Sequence, residues 1–114
     1  MASGDGTVGG TIGEIDVAGL DAALADGAPL LDVRMPDEFD EVRVPGAVLV
    51  PLPELADRLA DVPAGDPLYI VCRSGARSLK ACEYLASVGR QVVNVAGGTM
   101  AWIESGRPAD SGPV

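Results

Sequence analysis

The feature that most constrains this fold is an alternation of short apolar runs with longer amphipathic stretches. The clearest apolar runs are Leu30–Val33, Leu68–Cys72 and Gln91–Val95. Runs this short and this nearly continuous in apolar residues are typical of strands buried on both faces, as in a parallel sheet. The stretches between them are long enough for helices that cover such a sheet. We therefore predict an α/β three-layer sandwich with a parallel sheet, helices on both faces and right-handed crossovers.

The boundaries of the elements follow from apolar spacing, caps and turn residues. Asp16 is the expected N-cap of the first helix, and Gly27 its end. Residues 1–10 are expected to be a flexible lead-in, residues 11–108 one domain, and residues 109–114 a tail. The predicted strands are Thr11–Ile15, Leu30–Val33, Ala47–Val50, Leu68–Cys72 and Gln91–Val95, and the predicted helical segments are Val17–Asp26, Pro36–Phe39, Pro53–Ala60, Ala76–Val88 and Thr99–Glu104.

Size and charge limit the classes of function that the chain can serve. Its 114 residues suffice for one domain with its own core, and its formal net charge is −9. Such a charge opposes binding to nucleic acid and to anionic membrane surfaces. The N-terminal residues lack the basic start and apolar stretch of a signal peptide, and no uncharged run is long enough to span a bilayer. We expect a cytoplasmic protein with no nucleic-acid or membrane partner.

The chain has two cysteines, Cys72 and Cys82, and no histidine. Two cysteines do not make a disulfide framework, and a zinc site built on them would lack two further nitrogen or sulfur ligands. Without histidine, neither a Ser-His-Asp triad nor a Cys-His pair can form. We expect no metal and no cofactor, and a nucleophile would have to be activated by other groups.

The loop after the fourth predicted strand contains the residues best suited to chemistry. Cys72 ends the strand, and a helix is predicted to begin near Ala76. Backbone N–H groups of a tight loop at a helix N-terminus can converge on an anion, and Gly75 permits the positive φ that such a loop needs. Positive charge nearby also favours a thiolate over a thiol. The candidate anion-binding residues are Arg73, Ser74, Gly75, Ala76, Arg77 and Ser78, with Cys72 as the nucleophile. Cys82 is expected to be a small core residue, and a resolving cysteine is the less favoured alternative.

Four blocks in this order resemble the rhodanese family, over about residues 11–108. The first is LLDVR followed by PDEF, the second VPGA, the third the CRSGARS loop, and the last NVAGG with a tryptophan after it. They occupy Leu30–Phe39, Val44–Ala47, Cys72–Ser78 and Asn94–Trp102. The resemblance implies a five-stranded parallel sheet with helices on both faces. One departure is Arg43, which stands where the family usually has a histidine. We expect that change to alter local packing or surface charge without abolishing chemistry.

The resemblance also implies an activity, a sulfurtransferase in which Cys72 carries sulfur as a persulfide. The donor would be a small sulfur anion, thiosulfate or a persulfide, and the acceptor cyanide, a thiol or a protein. Two alternatives remain. A non-enzymatic interaction or regulatory module is one, although such modules often lose the loop cysteine. A cysteine-dependent phosphatase is less favoured, because its loop has five residues between cysteine and arginine where this chain has four.

Several charged and polar residues are expected to support the loop. Asp32 ends a neighbouring strand and is expected either to pair with Arg77 or Arg34, or to shape the turn that follows it. Arg34 is expected to form a structural ion pair with Glu38. Arg77 fits substrate contact and loop bracing equally well. For Ser78, helix capping is favoured over a hydrogen bond to the anion.

Overall fold

A computed structural model of the protein describes residues 10–113, and its centre is a five-stranded parallel sheet. Counted along the chain, the strands lie in the sheet in the order first, fifth, fourth, second and third. Of the expected lead-in, residues 1–9 lie outside the described part, as does Val114 of the tail. The strands are β1 (Ile12–Ile15), β2 (Leu30–Asp32), β3 (Val48–Leu49), β4 (Leu68–Val71) and β5 (Val92–Val95).

The helices agree closely with the predicted segments. Asp16 caps the first helix as expected, since its carboxylate accepts a hydrogen bond from the Gly19 N–H at 2.9 Å. Between β3 and β4 the chain is wound as a 3₁₀ helix, which is interrupted at Arg58 (φ −122°). The segments are α1 (Val17–Ala25), α2 (Pro36–Glu41), the 3₁₀ helix (Leu52–Asp61), α3 (Ala76–Ser87) and α4 (Gly98–Glu104).

Helices cover both faces of the sheet, so the predicted three-layer sandwich is confirmed. Successive strand residues point to opposite faces, and each face therefore has its own apolar cluster. On one face Leu31 and Ile70 pack with Leu85 of α3 and Leu55 of the 3₁₀ helix. On the other, the cluster contains Leu30, Val71, Val95, Leu20 of α1 and Trp102 of α4.

The strand order brings the chemical residues to one edge of the sheet. β4 is central, with β2 on one side and β5 on the other. Asp32 is opposite Val71 in the register, so the carboxyl end of β2 lies beside the residue that precedes Cys72. Parallel sheets commonly bind ligands beyond this edge. Within residues 10–113, no helix is long and apolar enough to cross a membrane.

Candidate active site

Cys72 lies at the carboxyl end of β4, directly before the loop that leads into α3. Its side chain is buried, with 1% of the residue exposed. The loop is anchored from behind by the start of α4. The Thr99 N–H donates to the Cys72 carbonyl at 2.8 Å, and the Met100 N–H donates to the Arg73 carbonyl at 3.0 Å. The sulfur thus sits in a loop fixed to both neighbouring helices.

Two groups that can donate hydrogen bonds lie beside the sulfur. The Gly75 N–H lies 3.1 Å from the Cys72 Sγ, and the Ser78 Oγ lies 3.3 Å from it. Burial raises the pKa of the Cys72 thiol, but the Ser78 hydroxyl and the backbone N–H groups of Ser78, Gly75 and Ser74 outweigh it. The resulting pKa is below that of an ordinary cysteine. The loop therefore favours a reactive thiolate without any histidine.

Gly75 has the backbone conformation that the loop was expected to need. Its φ is 120°, and it occupies the N-cap position of α3 without a side chain to cap the helix. The expectation that Ser78 caps this helix is wrong. Ser78 lies inside the first turn and is fully buried, and its hydroxyl faces the sulfur and Asn94 instead.

Asn94 belongs to the site although its role was not anticipated from the sequence. It is a largely buried polar residue in β5, and its Oδ1 lies 2.6 Å from the Ser78 Oγ. Its Nδ2 donates to the Gly75 carbonyl at 3.3 Å. A polar residue within the apolar run VVNV was the available signal, because a buried amide needs partners.

Asp32 and Arg34 form a buried ion pair at the carboxyl end of β2. The Arg34 Nη2 donates to Asp32 Oδ2 at 2.8 Å, and the Arg34 backbone N–H donates to Oδ1 at 3.0 Å. Asp32 therefore pairs with Arg34, not with Arg77, and shapes the turn after β2 as well. The expected Arg34–Glu38 ion pair is wrong, because Arg34 reaches only the backbone carbonyl of Glu38, at 3.3 Å.

The carboxylate of Glu38 binds Arg77 instead. Two parallel hydrogen bonds join them, Nη1 to Oε1 at 2.7 Å and Nη2 to Oε2 at 2.8 Å. These bonds to Arg77 lower the pKa of Glu38 to about 2, although partial burial opposes the shift. Arg77 is thereby braced against α2, and its side chain remains 36% exposed.

The remaining loop residues are at the surface. Arg73, Ser74 and Ala76 are exposed, and Gly75 is partly buried. Ala76 is the first residue of α3, so its backbone belongs to the helix N-terminus. Arg73 therefore presents its side chain to solvent from a position next to the buried sulfur.

Cys82 lies on the core side of α3, as expected. It is fully buried in the apolar cluster that also contains Cys72. Burial, with smaller contributions from Glu83 and Cys72, raises the pKa of Cys82 to about 12. A thiol held in this state is a poor nucleophile, which agrees with a packing role.

Arg43 links the C-terminal residues to α2. Its Nη1 donates to the Phe39 carbonyl at 3.0 Å and to the Gly112 carbonyl at 2.8 Å. Its backbone forms an antiparallel bridge with Asp110, and its guanidinium lies 4.8 Å from the centre of the Phe39 ring. Through these contacts Arg43 packs α2 against the C-terminal residues.

Comparison with known proteins identifies the family to which the sequence and the fold are similar. The sequence model of the rhodanese-like domain matches residues 16–105. A sulfurtransferase of Allochromatium vinosum is 38% identical over 100 residues, which cover 85% of this chain and 94% of the relative. Thiosulfate sulfurtransferase 18 of Arabidopsis thaliana is 34% identical over 113 residues, covering 85% and 82%. The crystal structure of a rhodanese-related protein from Thermoplasma volcanium matches with a TM-score of 0.79 at 30% identity, covering 86% and 97%.

Proposed function

This chain belongs to the rhodanese-like domain family and is a sulfurtransferase, and we propose that it moves sulfane sulfur through a persulfide on Cys72. The observation that carries the proposal is the convergence of the Gly75 N–H and the Ser78 hydroxyl on the Cys72 sulfur. The names of the relatives support sulfur transfer in general, and one of them names thiosulfate.

The proposed reaction has two displacements at sulfur. The Cys72 thiolate attacks the outer sulfur of thiosulfate or of a persulfide, and a new S–S bond forms. The bond between that sulfur and the rest of the donor breaks, and the donor leaves with the electron pair, as sulfite or a thiolate. An acceptor, which is cyanide, a thiol or a protein thiol, then attacks the terminal sulfur and releases Cys72 as a thiolate.

The loop supplies what these steps require. The terminal sulfur of a persulfide is anionic, and in this proposal the backbone N–H groups of the same loop stabilise it. A preorganised donor at a developing charge contributes about 3–4 kcal/mol to transition-state stabilisation. Arg73 is placed to attract the anionic end of the donor, and Arg77 keeps the loop in position through Glu38. An ionised cysteine is already nucleophilic, so no general base is needed. We place the reaction in the cytoplasm, where the two free thiols would stay reduced.

Intact-mass measurement tests this function directly. Wild-type protein incubated with thiosulfate or with glutathione persulfide is expected to gain the mass of one sulfur atom, and cyanide is expected to remove it. Cys72→Ser should gain nothing, because the attacking sulfur is gone. Cys82→Ser is the matched control and should load like wild type, since Cys82 is buried and its pKa is raised.

Other outcomes would contradict the proposal. A label that stays in Cys72→Ser and disappears in Cys82→Ser would reassign the nucleophile. If wild-type protein took sulfur from neither donor, and Cys72→Ser still bound a partner of the wild type, an interaction module would be favoured. Hydrolysis of a phosphotyrosine analogue without sulfur uptake would favour phosphatase chemistry.

A further inference from the structure

The hydroxyl group of Ser78 lies between two groups that compete for its one proton. Its Oγ is 2.6 Å from the Asn94 Oδ1 and 3.3 Å from the Cys72 Sγ. A serine hydroxyl donates one hydrogen bond and accepts others. Only one of these neighbours can therefore receive the Ser78 proton at a time.

The amide orientation shows which neighbour receives it here. The Asn94 Nδ2 donates to the Gly75 carbonyl at 3.3 Å, which leaves Oδ1 facing Ser78. An amide oxygen can only accept, so we assign the Ser78 proton to Asn94, the nearer of its two neighbours. The Ser78 oxygen can then only accept from Cys72. This arrangement suits Cys72 as a thiol that donates its S–H to Ser78.

The thiolate needs the opposite arrangement. Ionised sulfur has no proton and must receive one hydrogen bond from Ser78. Two acceptor oxygens would then face each other at 2.6 Å, which is unfavourable in a buried site. Rotation of the amide by half a turn removes the conflict, because Nδ2 then donates to the Ser78 oxygen. The bond given up is the long one from Asn94 to Gly75.

We propose that Asn94 is a positioning residue for Cys72, whose amide accepts the Ser78 proton while Cys72 is a thiol and turns over to donate to Ser78 when Cys72 becomes a thiolate. The Cys72 proton is released to solvent in this change, and no covalent bond other than S–H is broken. The inference deepens the proposed function, since it takes Cys72 as the group that must ionise. It makes Asn94 a determinant of how readily that ionisation occurs.

The other titratable groups around the sulfur do not make this exchange. Arg77 and Cys82, both on α3, interact electrostatically with Cys72. Arg77 is held by Glu38, and Asp32 on the neighbouring strand β2 is held by Arg34. None of these side chains shares a proton with Ser78 in the described part of the chain.

The test is the pH dependence of Cys72 alkylation by iodoacetamide, followed by intact mass in the absence of any sulfur donor. Asn94→Asp places beside Ser78 a carboxylate, which can only accept a hydrogen bond. The variant should raise the pKa of Cys72 by about one unit, so alkylation below that pKa should be roughly tenfold slower. Asn94→Ala removes the competing acceptor, so the Ser78 proton is free for the sulfur and alkylation should be faster than in wild type. Circular dichroism establishes that each variant is folded.

Two further variants separate proton competition from charge. Gln91→Glu adds the same charge at the residue that precedes β5, beyond the strand's other end, and should change the pKa of Cys72 much less than Asn94→Asp. In a Ser78→Ala background the proton is absent, so the effect of Asn94→Asp should shrink to that of the charge alone. The inference would be overturned if Asn94→Asp shifted the pKa of Cys72 equally with and without Ser78, or if Asn94→Ala were alkylated no faster than wild type.

Failure of this inference is distinguishable from failure of the proposed function. Alkylation reports the ionisation of Cys72 whether or not sulfur is ever transferred. Wild type that loads sulfur while Asn94→Asp leaves the pKa of Cys72 unchanged refutes the inference alone. A shifted pKa in a protein that takes up no sulfur refutes the sulfurtransferase mechanism alone.

Discussion

Glu38 shows how one carboxylate can define the surroundings of a reactive loop. It accepts two hydrogen bonds from Arg77 of α3 and one from the Met35 backbone N–H at 3.0 Å. It therefore ties the turn after β2 to the helix that follows Cys72. A bidentate pair of this kind is geometrically specific, and lysine could not replace the arginine in it.

The pH dependence of stability should reveal this ion pair. The pKa of Glu38 is about 2 in the folded protein against 4.5 for an unperturbed glutamate. A carboxyl whose pKa is lowered by folding stabilises the protein above its unfolded pKa, and this contribution disappears as the pH falls through the folded pKa. Urea unfolding should show wild type more stable than Glu38→Gln at neutral pH. The two curves should converge as the pH is lowered from 4.5 towards 2.

The control for this prediction is Glu54→Gln. Glu54 pairs with Arg58 on an exposed surface, where ion pairs are worth about 0–1 kcal/mol. That variant should differ little from wild type at any pH. A constant difference between wild type and Glu38→Gln across the acid range would show that the carboxylate charge of Glu38 does not stabilise the fold.

At the scale of elements, the N-terminus of α4 supports the reactive loop by direct backbone contact. Gly98 begins α4 with φ +60°, and a Cβ there would lie 2.5 Å from the Arg73 carbonyl oxygen and 2.6 Å from that of Cys72. Both are backbone atoms, which cannot move aside as a flexible side chain can. The two glycines Gly97 and Gly98 therefore allow α4 and the loop to approach each other, in addition to permitting a tight turn.

Substitution of Gly98 should disturb both stability and sulfur uptake. Gly98→Ala must separate the loop from α4 to make room for the methyl group, and this moves the donors that face Cys72. Gly106→Ala is the matched control, because Gly106 also has a positive φ (+80°) but no atom within 4 Å of its Cβ position. It should cost about 1–2 kcal/mol of backbone strain and leave uptake intact.

The measurements are chemical unfolding and the rate of sulfur loading by intact mass. Gly98→Ala should lose more unfolding free energy than Gly106→Ala and should load sulfur more slowly. Equal losses in both variants, with normal loading, would mean that the contact between α4 and the loop does not position Cys72.

At the scale of the whole molecule, a single sheet joins two apolar clusters. Leu85 of α3 is fully buried on one face, and Trp102 of α4 is 3% exposed on the other. The clusters share strands β2, β4 and β5, because neighbouring residues of one strand enter opposite faces. We therefore expect them to unfold together as one cooperative unit, as small domains commonly do.

The single tryptophan makes this coupling measurable. Leu85→Ala should cost about 2–5 kcal/mol of unfolding free energy, and Trp102 fluorescence should report the loss although it lies across the sheet. Leu79→Ala, at an exposed position of the same helix, should stay within about 0.5 kcal/mol of wild type. Fluorescence and far-ultraviolet circular dichroism should give coincident transitions. Separate transitions would show that the two faces unfold independently.

The sequence alone predicted the element order, the parallel sheet and the loop of Cys72 correctly. These features depend on local signals. Apolar runs identify buried strands, Asp16 marks a helix start, and Cys72 followed by Gly75 marks a strand-to-helix loop. The edge at which Asp32 and Cys72 meet also follows, because all strands of a parallel sheet end on the same side.

The tertiary structure decided which polar groups are partners. Arg34 and Glu38 were expected to form an ion pair with each other, yet the side chain of each forms its ion pair with another residue. Asp32 pairs with Arg34 because the chain after β2 returns the guanidinium to the strand end. Glu38 pairs with Arg77, 39 positions away, because the fold brings the first turn of α3 within side-chain reach of α2. Asn94 meets Ser78 through the packing of β5 against α3. Such pairings depend on distances between elements, which no local pattern of residues contains.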